Sequence, residues 1–210
     1  MNRRLFIAAL RDGLVLLQCT SLASLLSARS SASESQMDDS RYLTLFLGGD
    51  VMTGRGIDQV LPHPGDPVLY EGNVKDARRY VDLAERRNGP IPKPVDYEYI
   101  WGDALDIWHN IAPDLRIVNL ETSVTVSDDA WRSKGIHYRM HPRNVPCLAA
   151  AGLDCCVLAN NHVLDWGRAG LEETLTTVSN AGIATAGAGH DIDASMQPAR
   201  LHVNGMCNVL

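Results

Sequence analysis

Three short apolar runs, each closing on polar residues, constrain this chain more than any other feature. Leu43–Leu47 leads into Gly48-Gly49-Asp50, Leu115–Val118 into Asn119-Leu120-Glu121, and Cys155–Ala159 into Asn160-Asn161-His162. Runs of this length bounded by polar or glycine-rich segments read as buried strands. Helical periodicity between them gives a β-α-β-α-β order, which implies an α/β fold with a largely parallel sheet and helical crossovers. Open sheets of that kind bind ligands just beyond the carboxyl ends of their strands. The three tips carry one carboxylate, a second carboxylate and an Asn-His pair, so they are expected to converge on one cation site.

The first crossover predicts a helix over Val74–Arg87, with Ala77, Tyr80, Val81 and Ala84 at helical spacing. Gly89-Pro90-Ile91-Pro92-Lys93-Pro94 forms a stiff loop that no helix crosses. A second helix is predicted over Tyr97–Asn110, placing Trp101, Leu105 and Trp108 on one face. About sixty residues separate the first two strands, more than a simple crossover needs, and predict a lobe beside the site where substrate is selected. Ser127–Gly135 reads as a polar loop, Ile136–Met140 as a short edge strand, and Pro142–Ala151 as a short helix ended by Gly152. A last helix, Gly170–Ala181, carries Leu171, Leu175 and Val178 inward, with Glu172 and Glu173 in its first turn. Leu201-His202-Val203, the turn signal Asn204-Gly205 and Met206–Leu210 predict a hairpin. Because the sequence stops on that apolar strand, the domain is expected to be incomplete at its C-terminus.

At 210 residues the chain fits one folded domain over residues 39–210 behind a leader-like segment over residues 1–38. Arg3-Arg4-Leu5-Phe6, an apolar stretch from Gly13 to Leu26 and a Ser/Ala-rich segment resemble an export signal, although Arg11 and Asp12 interrupt it. The expected location is the cell envelope, with the cytoplasm as the alternative. No internal run reaches the roughly 18–20 apolar residues of a membrane span. A net charge of −6 argues against non-specific nucleic-acid binding. Five cysteines without framework spacing argue against a disulfide scaffold, and adjacent Cys155 and Cys156 point to opposite faces of their strand.

Among the polar residues, Asp50 reads either as a metal-binding carboxylate or as a cap or turn aspartate. Glu121 is equally ambiguous alone. Asn160-Asn161-His162 is sharper, because consecutive amides after a buried strand have few packing roles while Asn oxygen and His nitrogen both ligate metals. Arg55 either binds a phosphate or carboxylate oxygen or is an exposed turn residue. Asp165 and Gly167 are expected to cap and shape the following helix, and His141 to be structural.

These segments carry a family resemblance. Gly49-Asp50-Val51-Met52-x-Gly54-Arg55, Asn119-Leu120-Glu121-Thr122 and Leu158-Ala159-Asn160-Asn161-His162-x-x-Asp165-x-Gly167-x-x-Gly170 occur in order. Tyr138-x-Met140-His141-Pro142, Ala151-Gly152-Leu153-Asp154 and Ala181-Gly182-Ile183 support them. Together they resemble the bacterial capsule-synthesis family CapA, associated with poly-γ-glutamate production. That family is similar to the calcineurin-like metallophosphoesterases, whose fold is an α/β/β/α sandwich with two metal ions between packed sheets. The resemblance implies divalent ions (Mn, Fe or Zn) on Asp50, Glu121 and Asn161, with Asn160 a further member. It implies His162 as proton donor or oxyanion partner; Arg55 keeps its own reading as a candidate substrate contact. The implied partners are an anionic polymer or phosphoester substrate and a membrane-bound polymer-synthesis complex. Two departures stand out: Met52 occupies the place of a metal-binding histidine, and the late histidines are missing, His190 and His202 being tempting substitutes of which His190 falls in a glycine-rich turn and is coincidental. The expected function is capsule or poly-γ-glutamate biosynthesis. The alternatives are a divalent-metal hydrolase of phosphoesters or peptide-like polymers, and a non-catalytic scaffold that keeps the fold.

Overall fold

A computed structural model describes residues 42–203 and 206–209. The export-signal reading of residues 1–38 therefore lies outside the described residues. Strand β1 (Leu45–Val51) is followed by a four-residue helix α1 (Arg55–Asp58), helix α2 (Arg78–Asn88), a 3-10 turn at Tyr99–Trp101 and helix α3 (Ala104–Ile111). Then come β2 (Leu115–Leu120), β3 (Ser123–Val124), β4 (Arg139–Met140), a 3-10 turn at Pro142–Asn144, α4 (Pro146–Ala150) and β5 (Cys155–Val157). The chain continues through α5 (Gly167–Asn180), β6 (Ala184–Ala186), α6 (Ile192–Ser195), β7 (Arg200–Val203) and β8 (Met206–Val209).

The central sheet has the order β1-β2-β5-β6 and every neighbour pair is parallel, as the alternating pattern predicts. One face of this sheet buries Val118, Leu120, Cys156 and Leu158 in a cluster with Trp108, Leu148 and Val178 from the helices. The other face sets Leu115, Ile117 and Cys155 against Ala199 and Leu201. The antiparallel β7–β8 hairpin is thus a second β layer, and the expected turn at Asn204-Gly205 lies outside the described residues. Cys155 and Cys156 divide between the two faces, as the two-residue period of a strand requires. Burial pushes the Cys147 and Cys156 thiols up to about 12 and Cys155 up to about 11. They are packing groups, not nucleophiles.

Coverage of the second face is uneven. At the edge of the sheet, Leu45 and Leu47 are 45% and 67% exposed. Register also shifts within β1: Leu47 faces Ile117, yet Asp50 faces Asn119. Two residues, Gly48 and Gly49, therefore stand against Val118 alone, a bulge that re-aims the strand end. A Cβ on Gly48 would crowd Val118 Cγ1 at 3.0 Å and Phe46 Cε1 at 3.1 Å, so a larger residue there would push on those side chains.

Several boundaries differ from the sequence expectation. The helix expected over Tyr97–Asn110 breaks at Gly102, whose φ of +52° no continuing helix accepts, and splits into the 3-10 turn and α3. Its apolar face survives, since Trp101, Leu105 and Trp108 all join the core. The helix expected from Val74 starts at Arg78, because Asp76 is taken up by a bridge to Val68. Helix α5 starts at Gly167, three residues before the expected Gly170, so Glu172 and Glu173 fall beyond its first turn. Glu173 instead accepts hydrogen bonds from Thr125 Oγ1 at 2.5 Å and Val126 N at 2.8 Å.

Candidate functional site

Parallel pairing brings the three sequence-predicted tips together. Asp50 and Asn119 are register partners, and Asn119 Nδ2 donates to Asp50 Oδ1 at 2.6 Å. Asn160 Nδ2 donates to Asn119 Oδ1 and to the Leu120 carbonyl, both at 3.0 Å. Asn160 Oδ1 in turn accepts from the backbone N–H of His162 at 3.0 Å. A chain of amides thus links Asp50 at the end of β1 to His162 beyond β5. Asn161 sits exposed beside it and uses its carbonyl to accept from Lys134 Nζ.

His162 is buried, and its two ring nitrogens face different partners. Nδ1 lies 2.6 Å from Asp165 Oδ2, and Nε2 lies 3.6 Å from Glu121 Oε1. An ionised carboxylate only accepts, so Nδ1 carries the proton and Nε2 is the working nitrogen. Tyr138 stacks on the imidazole with ring centroids 4.0 Å apart and 21° between planes. The His162 carbonyl accepts from Ser123 Oγ at 3.0 Å, which ties the residue to β3.

Asp165 corrects the sequence expectation. It does not cap the helix, because the α5 N-cap is Trp166 with no side-chain bond. Its side chain has no exposed surface; Oδ2 also accepts from Tyr138 N at 2.7 Å, and Oδ1 pairs with Lys134 Nζ. Lys134 is the residue that sequence reasoning missed. It lies in the loop read as merely polar, and it reaches Asp165, the Asn161 carbonyl and, at 3.4 Å, His162 Nδ1.

Arg55 flanks the same pocket. Its guanidinium lies over Tyr138, 4.7 Å from the ring centroid, and over Tyr80 at 5.0 Å. Arg55 Nε donates to Glu71 Oε1 at 2.6 Å, and Tyr80 donates to Glu71 Oε2 at 2.5 Å. That hydrogen bond, with burial second, raises the Tyr80 phenol above its ordinary value. Arg55 has a φ of +50°, a conformation costing a non-glycine residue roughly 1–3 kcal/mol. Strain of that size persists where surrounding contacts over-determine a side chain, so Arg55 is a built feature and not a free turn residue. Gly54 makes the approach possible, since a Cβ there would meet the Arg139 carbonyl at 2.8 Å.

His141 is structural, as expected. Its N–H donates to buried Asp58 at 2.9 Å, which also accepts from Gly65 N and Asn144 Nδ2 at 2.7 and 2.8 Å. His190 is exposed on α5's flank near Glu172 and takes no part in the pocket.

With this geometry in place, the chain's relatives fall into line. Residues 44–209 match the model of the bacterial capsule synthesis protein family PGA_cap, and the chain belongs to that family. It is 50% identical over 161 residues to a probable polyglutamine synthesis accessory protein of Mycobacterium tuberculosis, found in two strains, covering 77% of this chain and 42% of the relative. It is 23% identical over 171 residues to the capsule biosynthesis protein CapA of Bacillus anthracis, covering 80% of this chain and 34% of that protein. The chain therefore spans less than half the length of these curated relatives.

As they stand, these side chains are bonded to one another rather than grouped around an ion. Among the described residues, no group of three or more His, Cys, Asp or Glu is spaced to hold an ion. Asp50 is engaged by Asn119, and both polar ends of the Asn160 amide are committed to protein partners. Met52 stands where a histidine ligand is expected, and it lines a neighbouring apolar cleft.

Proposed function

We propose that this chain serves capsule or poly-γ-glutamate biosynthesis in the cell envelope, and that the pocket around His162 is where it engages an anionic polymer or phosphoester. The single observation that carries the reading is the Asp165–His162 pair, 2.6 Å apart and buried, which presents Nε2 toward Glu121 where the strand tips meet. An imidazole oriented by a buried carboxylate can take up a proton at Nε2 and pass it on. Arg55 supplies a guanidinium for a phosphate or carboxylate oxygen. The membership in a capsule-synthesis family and the likeness to a polyglutamine synthesis accessory protein support the polymer as ligand. A membrane-bound synthesis complex and export to the envelope belong to the same proposal.

Titration of the full chain with poly-γ-glutamate oligomers tests it. Binding that weakens about tenfold or more in both Arg55→Gln and His162→Asn supports the reading, since the first removes a guanidinium contact and the second the oriented imidazole. Binding unchanged in both variants rejects it.

A second reading, a divalent-metal hydrolase, is favoured by one observation: Asp50 and Glu121 end neighbouring parallel strands, with Glu121 N donating to the Val51 carbonyl at 3.0 Å. Asp50, Glu121, Asn161 and Asn160 are its proposed ligands, once the amide chain through Asn119 and Asn160 rearranges, and His162 is its proton donor. Calorimetry with Mn²⁺ and Zn²⁺ separates the two readings. Stoichiometric binding lost in Asp50→Asn and Glu121→Gln supports the hydrolase, and no detectable binding leaves the non-metal reading.

A further inference from the structure

The long segment between β1 and β2 holds a cleft that the His162 pocket does not use. Its volume is about 370 Å³, and its walls are mainly apolar: Met52 from the end of β1, Val81 and Ala84 from α2, Ile91 from the proline loop and Ile100 from the 3-10 turn. This is small-molecule size, and such sites pair an apolar body with a few placed polar groups. The placed group here is Arg55, which lines the cleft and also overlies Tyr138, the ring stacked on His162. Arg55 is therefore the hinge between an apolar cleft and a polar pocket.

Its guanidinium is only partly committed. Nε is held by Glu71, the side chain is 20% exposed, and among the described residues the two Nη groups have no hydrogen-bond partner. The Glu71 bond and the Tyr80 and Tyr138 rings hold that unpaired edge in place. A wholly polar polymer strand would leave the walls formed by Val81, Ile91 and Ile100 against water. A ligand that satisfies both halves carries a negative head and an apolar tail.

We propose that this cleft takes the apolar tail of an anionic amphiphile, an alkyl phosphate or alkyl carboxylate, whose head group sits on the Nη edge of Arg55 beside the His162 pocket. The proposal rests on the anion-binding reading of Arg55 given above and adds the tail and its site. Ala84 lines the cleft from α2, so a larger side chain there is expected to fill it while leaving Arg55 in place.

The test is isothermal titration of the full chain with decyl phosphate, decanoate, decanol and inorganic phosphate, each below its aggregation threshold. One of the two amphiphiles is expected to bind at least about tenfold tighter than both decanol and inorganic phosphate, because apolar burial and a charged hydrogen bond act together. The tighter of the two identifies the head group. Ala84→Trp is expected to bring that amphiphile down to the level of inorganic phosphate while inorganic phosphate itself is unchanged. Ala84→Leu, a smaller filling, is expected to move the same way and stands in if circular dichroism shows that the tryptophan variant is misfolded. Amphiphile affinity unaltered in both Ala84 variants overturns the proposal. Phosphate binding that depends on Arg55 yet gains nothing from a decyl tail also overturns it, and leaves the reading of Arg55 intact. Arg55→Gln variants that bind every anion normally overturn the head-group placement together with that reading.

Discussion

Asp165 contacts His162 directly and Asp50 reaches it through two amides, and the chain treats the two carboxylates in opposite ways. Asp165 is fully buried, bonded to His162 Nδ1 and Tyr138 N, and paired with Lys134. Asp50 is exposed at the end of β1 and holds a single amide from Asn119. One side is locked by burial, where an unpaired charge is costly and every partner is therefore supplied. The other is a row of neutral amides near solvent, where hydrogen bonds exchange with water at little cost. The difference separates orientation from reception. The Asp165 side fixes the imidazole before any ligand arrives, and the Asp50 side is free to rearrange around one.

The largest expected effect follows from breaking the locked side. Asp165→Ala leaves Lys134, Tyr138 N and His162 without their shared acceptor, and should lower unfolding free energy by about 3–5 kcal/mol in urea titrations. Lys134→Met removes one partly exposed partner of Asp165 and should lower it by about 1–3 kcal/mol by the same measurement. If Lys134→Met proves as damaging as Asp165→Ala, the carboxylate is not the centre of the network.

Away from the pocket, the buried thiols set an alkaline limit. Unfolded thiols ionise near 9, whereas folded Cys147 and Cys156 hold their protons to about 12 and Cys155 to about 11. Above pH 9 the unfolded chain has lost protons that the folded chain keeps, so rising pH favours unfolding. The stabilisation is complete below pH 9 and is lost as pH climbs through the 11–12 range. The urea midpoint should fall from pH 8 to pH 10, and the fall should be shallower in a Cys147→Ala, Cys155→Ala, Cys156→Ala variant. An identical slope in that variant removes the thiols from the explanation.

The smallest effect is expected on the receptive side. Asp50→Ala should change stability by no more than about 0.5 kcal/mol, since the side chain is exposed and its one partner can turn to water. A loss approaching that of Asp165→Ala would erase the contrast between the two sides.

Much of the sheet was legible in the sequence because its strands are short apolar runs closed by polar residues. The periodicity of Trp101, Leu105 and Trp108, and of Leu171, Leu175 and Val178, likewise gave the inward helix faces. The bulge at Gly48-Gly49 and the break at Gly102 were not legible, because a glycine allows an irregular backbone without announcing where one falls. The pocket was legible where residues follow strands, as Asp50, Glu121 and His162 do. Lys134 was not, since it approaches Asp165 from a loop about thirty residues away with no pattern of its own. Asp165 itself was obscured by position: an aspartate two residues before a helix reads locally as a cap, and only the tertiary structure turns it toward His162. Arg55 was legible through its place in the Gly49–Arg55 motif, but its strained backbone was not.

The account stands on the direction in which His162 is held, and nitrogen-15 NMR of the histidine-labelled full chain measures that directly, with His162→Asn assigning the resonance. The predicted tautomer carries its proton on Nδ1, facing Asp165, and its Nε2 resonance responds to Glu121→Gln. A ring protonated at Nε2, or one whose shifts ignore Asp165→Asn, would contradict it.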